Sequence, residues 1–227
     1  MASETYPHRK SQFLSSFKRS IERVHPVLID RYGRQEADTL MRLSGQKYED
    51  LIPQIPYIGD RNPMFNLFLL PASRYLAIYR AFQSHGRSLE ETGRLVYEIG
   101  QAELLAIPGL VRWVISALWF SGLFRKRVQR RAALSQARKY PGDFVFVYTE
   151  PGNQEFDYGI DYLECAVCKF YRQQDAVALT PYICAIDKPA SEMLGWGLYR
   201  MQALADGGEK CDFRFKKGGN TRVEIPL

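Results

Sequence analysis

The feature that most constrains the fold of this chain is a change in hydrophobic period near Pro141. Before that point, apolar residues recur three or four positions apart, which is the spacing of one helix face, and after it they occupy every second position, as on one strand face. The clearest series are Phe13, Phe17, Ile21 and Val24 before the change, and Phe144, Phe146 and Tyr148 after it. Helices followed by antiparallel strands predict an α+β fold.

The first 140 residues are predicted to form a helical region. Helices are expected from about Arg34 to Leu51 and from about Leu67 to Phe82, where Pro71 shortens or bends the second one. Ser88 and Glu91 form a capping box, the pattern with which a further helix begins. The apolar face of that helix comprises Leu95, Val96, Ile99, Ala102 and Ala106, ahead of the terminating pair Pro108-Gly109.

Residues 141–227 are predicted to form an α+β region, a small antiparallel sheet with interposed helices, that packs with the helical region in one compact unit. A short helix is expected from Cys165 to about Arg172. Thr180-Pro181 is typical of an N-cap followed by proline, and it should open a helix that continues through Asp187. Two strands, about Gly197–Ala205 and Lys210–Lys216, complete the region around a turn at 206–209.

The composition indicates a folded chain, since 46% of the 227 residues are hydrophobic and 25% are charged. The first residues contain no apolar stretch of the secretory kind, so a cytoplasmic location with reduced cysteines is expected. The longest apolar run, Leu110 to Phe124, is shorter than the ~20 residues that a bilayer-spanning helix needs. It leads into a basic tract, residues 125–139, which contains seven cations and no acid.

The basic tract allows two interpretations. Cations without interleaved aromatic residues most often form a solvated helix face. The adjoining apolar run contains Trp113 and Trp119, which favours weak contact of residues 110–139 with an anionic membrane as the alternative. No recognised nucleic-acid motif is present, so no specific nucleic-acid partner is expected. The chain is compatible with a homo-oligomer.

All four cysteines lie in the last third of the chain, within a series of short motifs. In chain order the motifs are Glu164-Cys165-x-x-Cys168, Cys184-x-x-Asp187, Arg200 and Gly208-x-x-Cys211-Asp212-Phe213. Their order together is far more specific than any one of them alone. The series resembles the L-2-amino-thiazoline-4-carboxylic acid hydrolase family, whose members carry these elements in this order, and the resemblance covers about residues 140 to 216.

The resemblance implies a hydrolase whose substrate is a small cyclic amidine-like thioether that bears a carboxylate. Water must add to the C2 carbon before a ring C–S or C–N bond opens. Arg200 has the planar fork that suits the substrate carboxylate. The implied substrate-binding residues are Arg200, Gly208 and Asp212.

The same chemistry needs an acid or base and a nucleophile. Asp187 or Glu164 could serve as acid or base if burial raises the pKa of its carboxyl group. Cys184, expected near a helix N-terminus, should have a lowered thiol pKa and is the candidate nucleophile. Cys165 and Cys211 complete the implied catalytic set. We expect Cys184, Asp187, Arg200 and Cys211 to line one pocket, with Cys165 at its edge.

Structural alternatives exist for each of these residues. Buried cysteines are commonly inert small apolar residues, and Arg200 with Asp187 could be a buried ion pair. The four thiols of Cys165, Cys168, Cys184 and Cys211 would also be enough for a tetrahedral zinc site, although the chain has one C-x-x-C pair and not two. No cofactor is expected under the leading interpretation, and zinc is the alternative.

The leading hypothesis is therefore a cytoplasmic hydrolase-like enzyme with a small-molecule substrate. One competing hypothesis is a non-enzymatic module that senses a small molecule or a metal through the cysteine-containing region. Another is a membrane-peripheral protein held by residues 110–139. Turnover of a cyclic amidine separates the first hypothesis from the other two.

Overall fold

The computed structural model describes residues 6, 9–152 and 155–224. Within them, seven α-helices precede the first strand: α1 (Lys10–Glu22), α2 (His25–Tyr32), α3 (Arg34–Leu51), α4 (Leu70–Ser84), α5 (Leu89–Leu105), α6 (Gly109–Trp119) and α7 (Gly122–Ser135). The later elements are β1 (Val145–Thr149), β2 (Tyr158–Glu164), α8 (Ala166–Gln173), α9 (Thr180–Ala185), α10 (Asp187–Leu194), β3 (Tyr199–Arg200), β4 (Cys211–Phe215) and β5 (Arg222–Val223). The architecture is α+β, as the sequence predicts.

Two prolines in the helical region lie at helix starts. Pro26 lies in the first turn of α2, a helix that the sequence analysis missed, because a proline there loses no helical hydrogen bond. Pro71 likewise lies in the first turn of α4, which follows a π-helical turn over Phe65–Leu69. The predicted single helix from Leu67 is thus two pieces, whereas α3 has its predicted bounds.

Helix α5 extends beyond the core. It begins at the predicted capping box, where the Glu91 backbone N–H donates to Ser88 Oγ at 3.1 Å. Leu95, Val96 and Ile99 on its apolar face are buried. Ala102 and Ala106, which continue this face toward and beyond the end of the helix, are exposed.

The apolar run after α5 forms two helices. Helix α6 ends at Trp119, and Ser121 begins α7 by accepting a hydrogen bond from the Phe124 backbone N–H at 3.2 Å. Among the described residues, no single helix is long and apolar enough to cross a bilayer. Helices α5 and α6 together have the required length and composition, but they meet at a bend of 94°.

The five strands form one sheet in the order β1-β2-β4-β3-β5. Neighbouring strands are antiparallel except β3 and β5, which are parallel, so the sheet is mixed and not purely antiparallel as predicted. The strand β5 was not predicted. Tyr162 on β2 lies opposite Cys211 on β4, and Ile160 lies opposite Phe213.

The two faces of the sheet differ in chemistry. On one face, the ring of Phe215 stacks on that of Tyr158 and meets Trp119 of α6 edge-on. On the other face, the Asp161 carboxylate accepts from Lys210 at 2.7 Å and from Arg214 at 2.6 Å. Cys211 lies on the aromatic face, as strand alternation predicts.

The strand predicted over Gly197–Ala205 is wrong in length, since β3 contains only two residues. The Asp212 carboxylate accepts hydrogen bonds from the backbone N–H groups of Met201 and Gln202, both at 2.9 Å. These two groups therefore do not extend the backbone pairing of β3. A short 3-10 helix over Leu204–Asp206 then completes the connection to β4.

The helical and α+β regions share one contiguous hydrophobic core. Tyr171 on α8, for example, is fully buried and donates from its hydroxyl to the Ala72 carbonyl of α4 at 2.9 Å. This shared core holds the cysteine-bearing elements against the helices.

Candidate active site

Five separate elements bring the motif residues together. Cys165 lies at the end of β2, Cys184 on α9, Asp187 on α10 and Arg200 on β3, and Cys211 opens β4. The charges on Asp187, Cys165 and Arg200 all influence the thiols of Cys184 and Cys211, so these side chains lie within electrostatic reach of one another. We call these five residues the thiol cluster. Cys165, Cys184 and Asp187 are half-buried, which leaves the cluster partly open to solvent.

Cys184 and Asp187 lie on opposite sides of a helix break. Helix α9 ends at Ala185, and α10 begins at Asp187. The Ile186 backbone N–H donates to the carbonyl of Ile183, three residues back, whereas a continuing α-helix would use the carbonyl four residues back. This change marks the break. Pro189 therefore lies in the first turn of α10, where it is tolerated.

Asp187 and Arg200 form a buried ion pair. The Arg200 side chain is 4% exposed and that of Asp187 is 24% exposed. Arg200 Nη1 donates to Asp187 Oδ2 and to the Cys184 carbonyl oxygen, the latter at 3.3 Å. The guanidinium also lies over the ring of Phe213, 5.6 Å from its centre. These contacts hold the Asp187 carboxyl group in one place.

The carboxyl group of Asp187 titrates near neutrality. Burial raises its pKa from the ordinary value of 3.8 to about 6, although the charge of Arg200 and its hydrogen bond partly oppose the shift. Such a group can both accept and donate a proton close to physiological pH.

Cys165 is the thiol that the structure favours as a thiolate. It occupies the N-cap position of α8, so the Cys168 thiol and the backbone N–H groups of Val167 and Cys168 lie near enough to act on its sulfur. These contacts lower the pKa of Cys165 below its ordinary value, because they stabilise negative charge at a helix N-terminus. The interaction with Cys165 and burial raise the pKa of Cys168.

The prediction of a lowered pKa for Cys184 is wrong. Cys184 is the fifth residue of the six-residue α9, so it lies at the wrong end of the helix to benefit from the amide groups. Burial raises its pKa well above the ordinary value, and the nearby charges of Asp187 and Cys165 add to the effect. Cys184 is therefore a protonated thiol that lines the cluster.

Cys211 and Tyr162 form the floor of the cluster on the sheet. The Leu204 backbone N–H donates to Cys211 Sγ at 3.2 Å, and burial raises the thiol pKa to about 12. Tyr162 lies opposite Cys211. Burial raises the pKa of its phenol, and the nearby charges of Asp187 and Cys165 raise it further. Tyr162 was not among the site residues expected from the sequence. The period of two that places it on the face of Cys211 was the available signal.

Glu164 does not belong to the thiol cluster. Its carboxylate pairs with Lys169 Nζ at 2.5 Å and with Arg138 Nε at 2.8 Å. These two cations lower its pKa, whereas an acid-base role at neutral pH would need a raised value. Glu164 instead lines a separate surface cavity of about 390 Å³ beside Tyr140 and Pro141.

Gly208 and Asp212 have clear roles in the backbone beside the cluster. Gly208 donates from its N–H to the Ala203 carbonyl at 3.0 Å, and a Cβ atom there would come within 2.9 Å of the same oxygen. Asp212 accepts from two backbone N–H groups, as described above. Both residues shape the loop that carries Leu204 to Cys211.

The four cysteines are free, and they are not arranged as a metal site. In the part of the chain that the structure describes, no three side chains of His, Cys, Asp or Glu are grouped so that they could hold a metal ion. The zinc alternative therefore has no support from this geometry.

Comparison with known proteins identifies the family. The model of the family described as L-2-amino-thiazoline-4-carboxylic acid hydrolase matches residues 72–215. This range begins on α4 and ends with β4, so it extends well beyond the resemblance found in the motifs and includes every element of the thiol cluster. No curated protein and no solved structure matches the chain. By the family match, the chain belongs to the L-2-amino-thiazoline-4-carboxylic acid hydrolase family.

Proposed function

We propose that the chain is a hydrolase-like enzyme that opens a small, carboxylate-bearing cyclic amidine such as a 2-aminothiazoline-4-carboxylate. The composition of the thiol cluster is the observation that supports this proposal most. It combines a thiol of lowered pKa, Cys165, with a carboxyl group of pKa about 6, Asp187, in one half-buried site. Covalent hydrolysis at an amidine carbon uses two such groups, a nucleophile and a base.

In the first half of the proposed reaction, the Cys165 thiolate adds to the C2 carbon of the ring. A carbon–sulfur bond forms to the enzyme, and the electron pair of the C=N bond moves onto nitrogen. Return of that pair expels the ring sulfur, so the ring C–S bond breaks. The substrate is then held on Cys165 as an open-chain isothiourea.

In the second half, Asp187 takes a proton from water, and the resulting hydroxide adds to the same carbon. Collapse of this adduct expels Cys165 as a thiolate and leaves a urea. The two hydrogens of the water finish on the former ring nitrogen and on the released sulfur. The reaction therefore consumes one water molecule and needs no oxidant or reductant.

Arg200 has two tasks in this proposal. Its Nη1 atom holds Asp187 in place, which makes Arg200 a positioning residue for the base. The substrate carboxylate would then bind at the other edge of the guanidinium, formed by Nε and Nη2. Both tasks depend on the planar fork as well as on the charge.

The test is release of a thiol from 2-aminothiazoline-4-carboxylate by the full chain, followed with a chromogenic disulfide reagent. We expect one thiol and one urea per substrate, and a loss of kcat of at least about a hundredfold in Cys165→Ala and in Asp187→Asn. Cys184→Ala should lose much less activity, since its thiol is protonated. Asp30→Asn, an exposed aspartate on α2, is the control and should retain full activity.

Two results would count against the proposal in different ways. If the wild-type chain released no thiol from this substrate or from related cyclic amidines, the hydrolase assignment would be wrong. If Cys165→Ala retained activity while Asp187→Asn lost it, water would attack C2 directly, and the covalent step would be wrong.

A further inference from the structure

Helix α6 presents its apolar side to solvent, which is the reverse of an ordinary surface helix. Six residues on one side are exposed: Leu110, Val111, Trp113, Val114, Ala117 and Leu118. At 100° per residue they cover a continuous arc of about 160°. We call this surface the α6 apolar face. Trp113 is 68% exposed and Leu110 is 74% exposed, so these are side chains largely in contact with water.

The opposite side of α6 faces the protein and contains the more polar residues. Arg112 and Ser116 lie there and are half-buried, together with Trp119, whose ring stacks on that of Trp196 at 4.2 Å. Trp119 also packs against the sheet through Phe215. The orientation of α6 is therefore held by aromatic packing at its C-terminal end, and the exposure of its apolar face is a property of the folded structure.

The neighbouring helix α7 adds positive charge beside this face. Lys126, Arg127 and Arg130 lie on the exposed side of α7, and Leu123 on the same side is 62% exposed. None of these three cations forms an ion pair within the described part of the chain. The opposite side of α7, which includes Ala132, packs against the protein.

The charge of the whole segment is as unusual as its apolar surface. Residues 104–142 contain eight cations and no acid, while the rest of the chain has 23 cations and 25 acids. The net charge of +6 is therefore concentrated in the segment that carries the α6 apolar face. A surface that combines exposed leucine and tryptophan with unpaired lysine and arginine matches the interface of an anionic bilayer, which offers acyl chains below and phosphate groups above.

We infer that α6 and α7 form a docking surface for an anionic lipid bilayer, with the α6 apolar face in the acyl boundary and the α7 cations at the phosphate groups. A second copy of the chain fits less well, because a two-fold contact through this surface would bring two strongly cationic segments together. Nucleic acid would pair with the cations but would leave the α6 apolar face in water. This inference does not depend on the proposed hydrolase function.

Co-sedimentation of the full chain with vesicles tests the inference. Vesicles of equal parts phosphatidylcholine and phosphatidylserine should bind the wild-type chain, and vesicles of phosphatidylcholine alone should bind it much more weakly. Binding to the anionic vesicles should fall as salt rises, since the lysine and arginine contacts are screened. Fluorescence should report the same event, because Trp113 would move from water into the bilayer.

Two sets of variants separate the apolar and the electrostatic contributions. Trp113→Gln with Leu118→Gln should weaken binding at least about tenfold. The triple change Lys126→Gln, Arg127→Gln and Arg130→Gln should weaken it about a hundredfold at low salt. Matched controls remove exposed residues elsewhere, and their binding should equal that of the wild type. The controls are Leu67→Gln with Val177→Gln, and the triple change Lys18→Gln, Arg19→Gln and Arg23→Gln at the end of α1.

Several outcomes would overturn the inference. One is the absence of wild-type binding to anionic vesicles, and another is equal binding by the α6 or α7 variants and their controls. Sedimentation equilibrium that showed a dimer dissociated by Trp113→Gln, without vesicle binding, would assign the face to a second copy. Salt-sensitive binding of RNA without vesicle binding would assign the cations to nucleic acid. Equal melting temperatures of all variants would show that the changes act at the surface.

Discussion

The thiol cluster and the α6 apolar face depart from ordinary burial in opposite directions. In the cluster, a guanidinium and a carboxyl group lie largely inside the protein, where burial moves the pKa of Asp187 toward neutrality. On α6, leucine and tryptophan lie in water although the chain has a large core. Each arrangement costs folding free energy, since buried charges and exposed apolar groups are both unfavourable. The proposed substrate and the proposed bilayer would each offset this cost in its own region.

Truncation of leucine should distinguish the core from the α6 apolar face most strongly. Leu95→Ala on α5 removes a fully buried side chain and should lower the free energy of unfolding by about 2–5 kcal/mol. Leu118→Ala on α6 removes a side chain that is 60% exposed, and it should change the free energy by no more than about 0.5 kcal/mol. Urea denaturation measures both values. A large loss in Leu118→Ala would show that α6 is packed in solution, which contradicts the exposed face.

The pH dependence of stability should reveal the buried carboxyl group in the cluster. The pKa of Asp187 is higher in the folded state, about 6, than its ordinary value of 3.8. Its contribution to stability is therefore fully present below pH 3.8 and is lost as pH rises through about 6. Asn is neutral at every pH, so Asp187→Asn should gain stability relative to the wild type over this range, by about 2 kcal/mol given the partial exposure.

Urea denaturation of the wild type and of Asp187→Asn at a series of pH values from about 3.5 to about 7.5 measures this difference. The series includes both pKa values of Asp187, 3.8 and about 6. Asp30→Asn serves as the control, since Asp30 is exposed on α2. A difference between Asp187→Asn and the wild type that stayed constant with pH would show that Asp187 titrates like a solvated carboxyl group.

Replacement of the guanidinium should separate a working cluster from a purely structural ion pair. Arg200→Lys keeps the charge but loses the planar fork, so kcat/KM should fall by about tenfold or more while the chain remains folded. Steady-state kinetics and thermal denaturation of the same preparation measure both effects. Loss of activity only in proportion to unfolded protein would favour the structural ion pair.

The smallest effect is expected at the turn beside the cluster. Gly207 has a φ of +83°, a conformation that costs any residue with a Cβ atom, so Gly207→Ala should lower stability by about 1 kcal/mol. Gly122→Ala is the matched control, because that glycine begins α7 with open space around it and a normal φ. Equal stability of the two variants would contradict the backbone geometry of the turn.

Local patterns predicted the helical region better than the site. The bounds of α3 and the capping box of α5 follow from short-range signals in the sequence, and so does the inward side of Cys211. The break at Ile186 lies just ahead of Pro189, where proline disfavours a continuous helix, whereas the shortness of β3 could not be predicted because it depends on contacts with distant residues. The Asp212 side chain, for example, accepts hydrogen bonds from backbone N–H groups that would otherwise have extended β3.

The same limit explains why the proposed nucleophile is Cys165, whereas the sequence favoured Cys184. Cys184 was expected near the start of a helix, but it lies at the end of α9, and Cys165 lies at the start of α8. A shift of a few residues in a helix boundary reverses the effect of the helix amides on a thiol. The sequence offered membrane contact of residues 110–139 only as an alternative, since the orientation of α6 depends on how its neighbours pack.

We propose that Cys165 is the reactive thiol of a substrate-binding cluster, and the labelling rate of each cysteine would show whether this claim holds. The folded chain is treated with iodoacetamide at neutral pH, and mass spectrometry follows Cys165, Cys168, Cys184 and Cys211 separately. We predict that Cys165 reacts first, that Asp187→Asn leaves this order unchanged, and that 2-aminothiazoline-4-carboxylate protects Cys165. Preferential labelling of Cys184, or equally slow labelling of all four cysteines with no protection by the substrate, would contradict the claim.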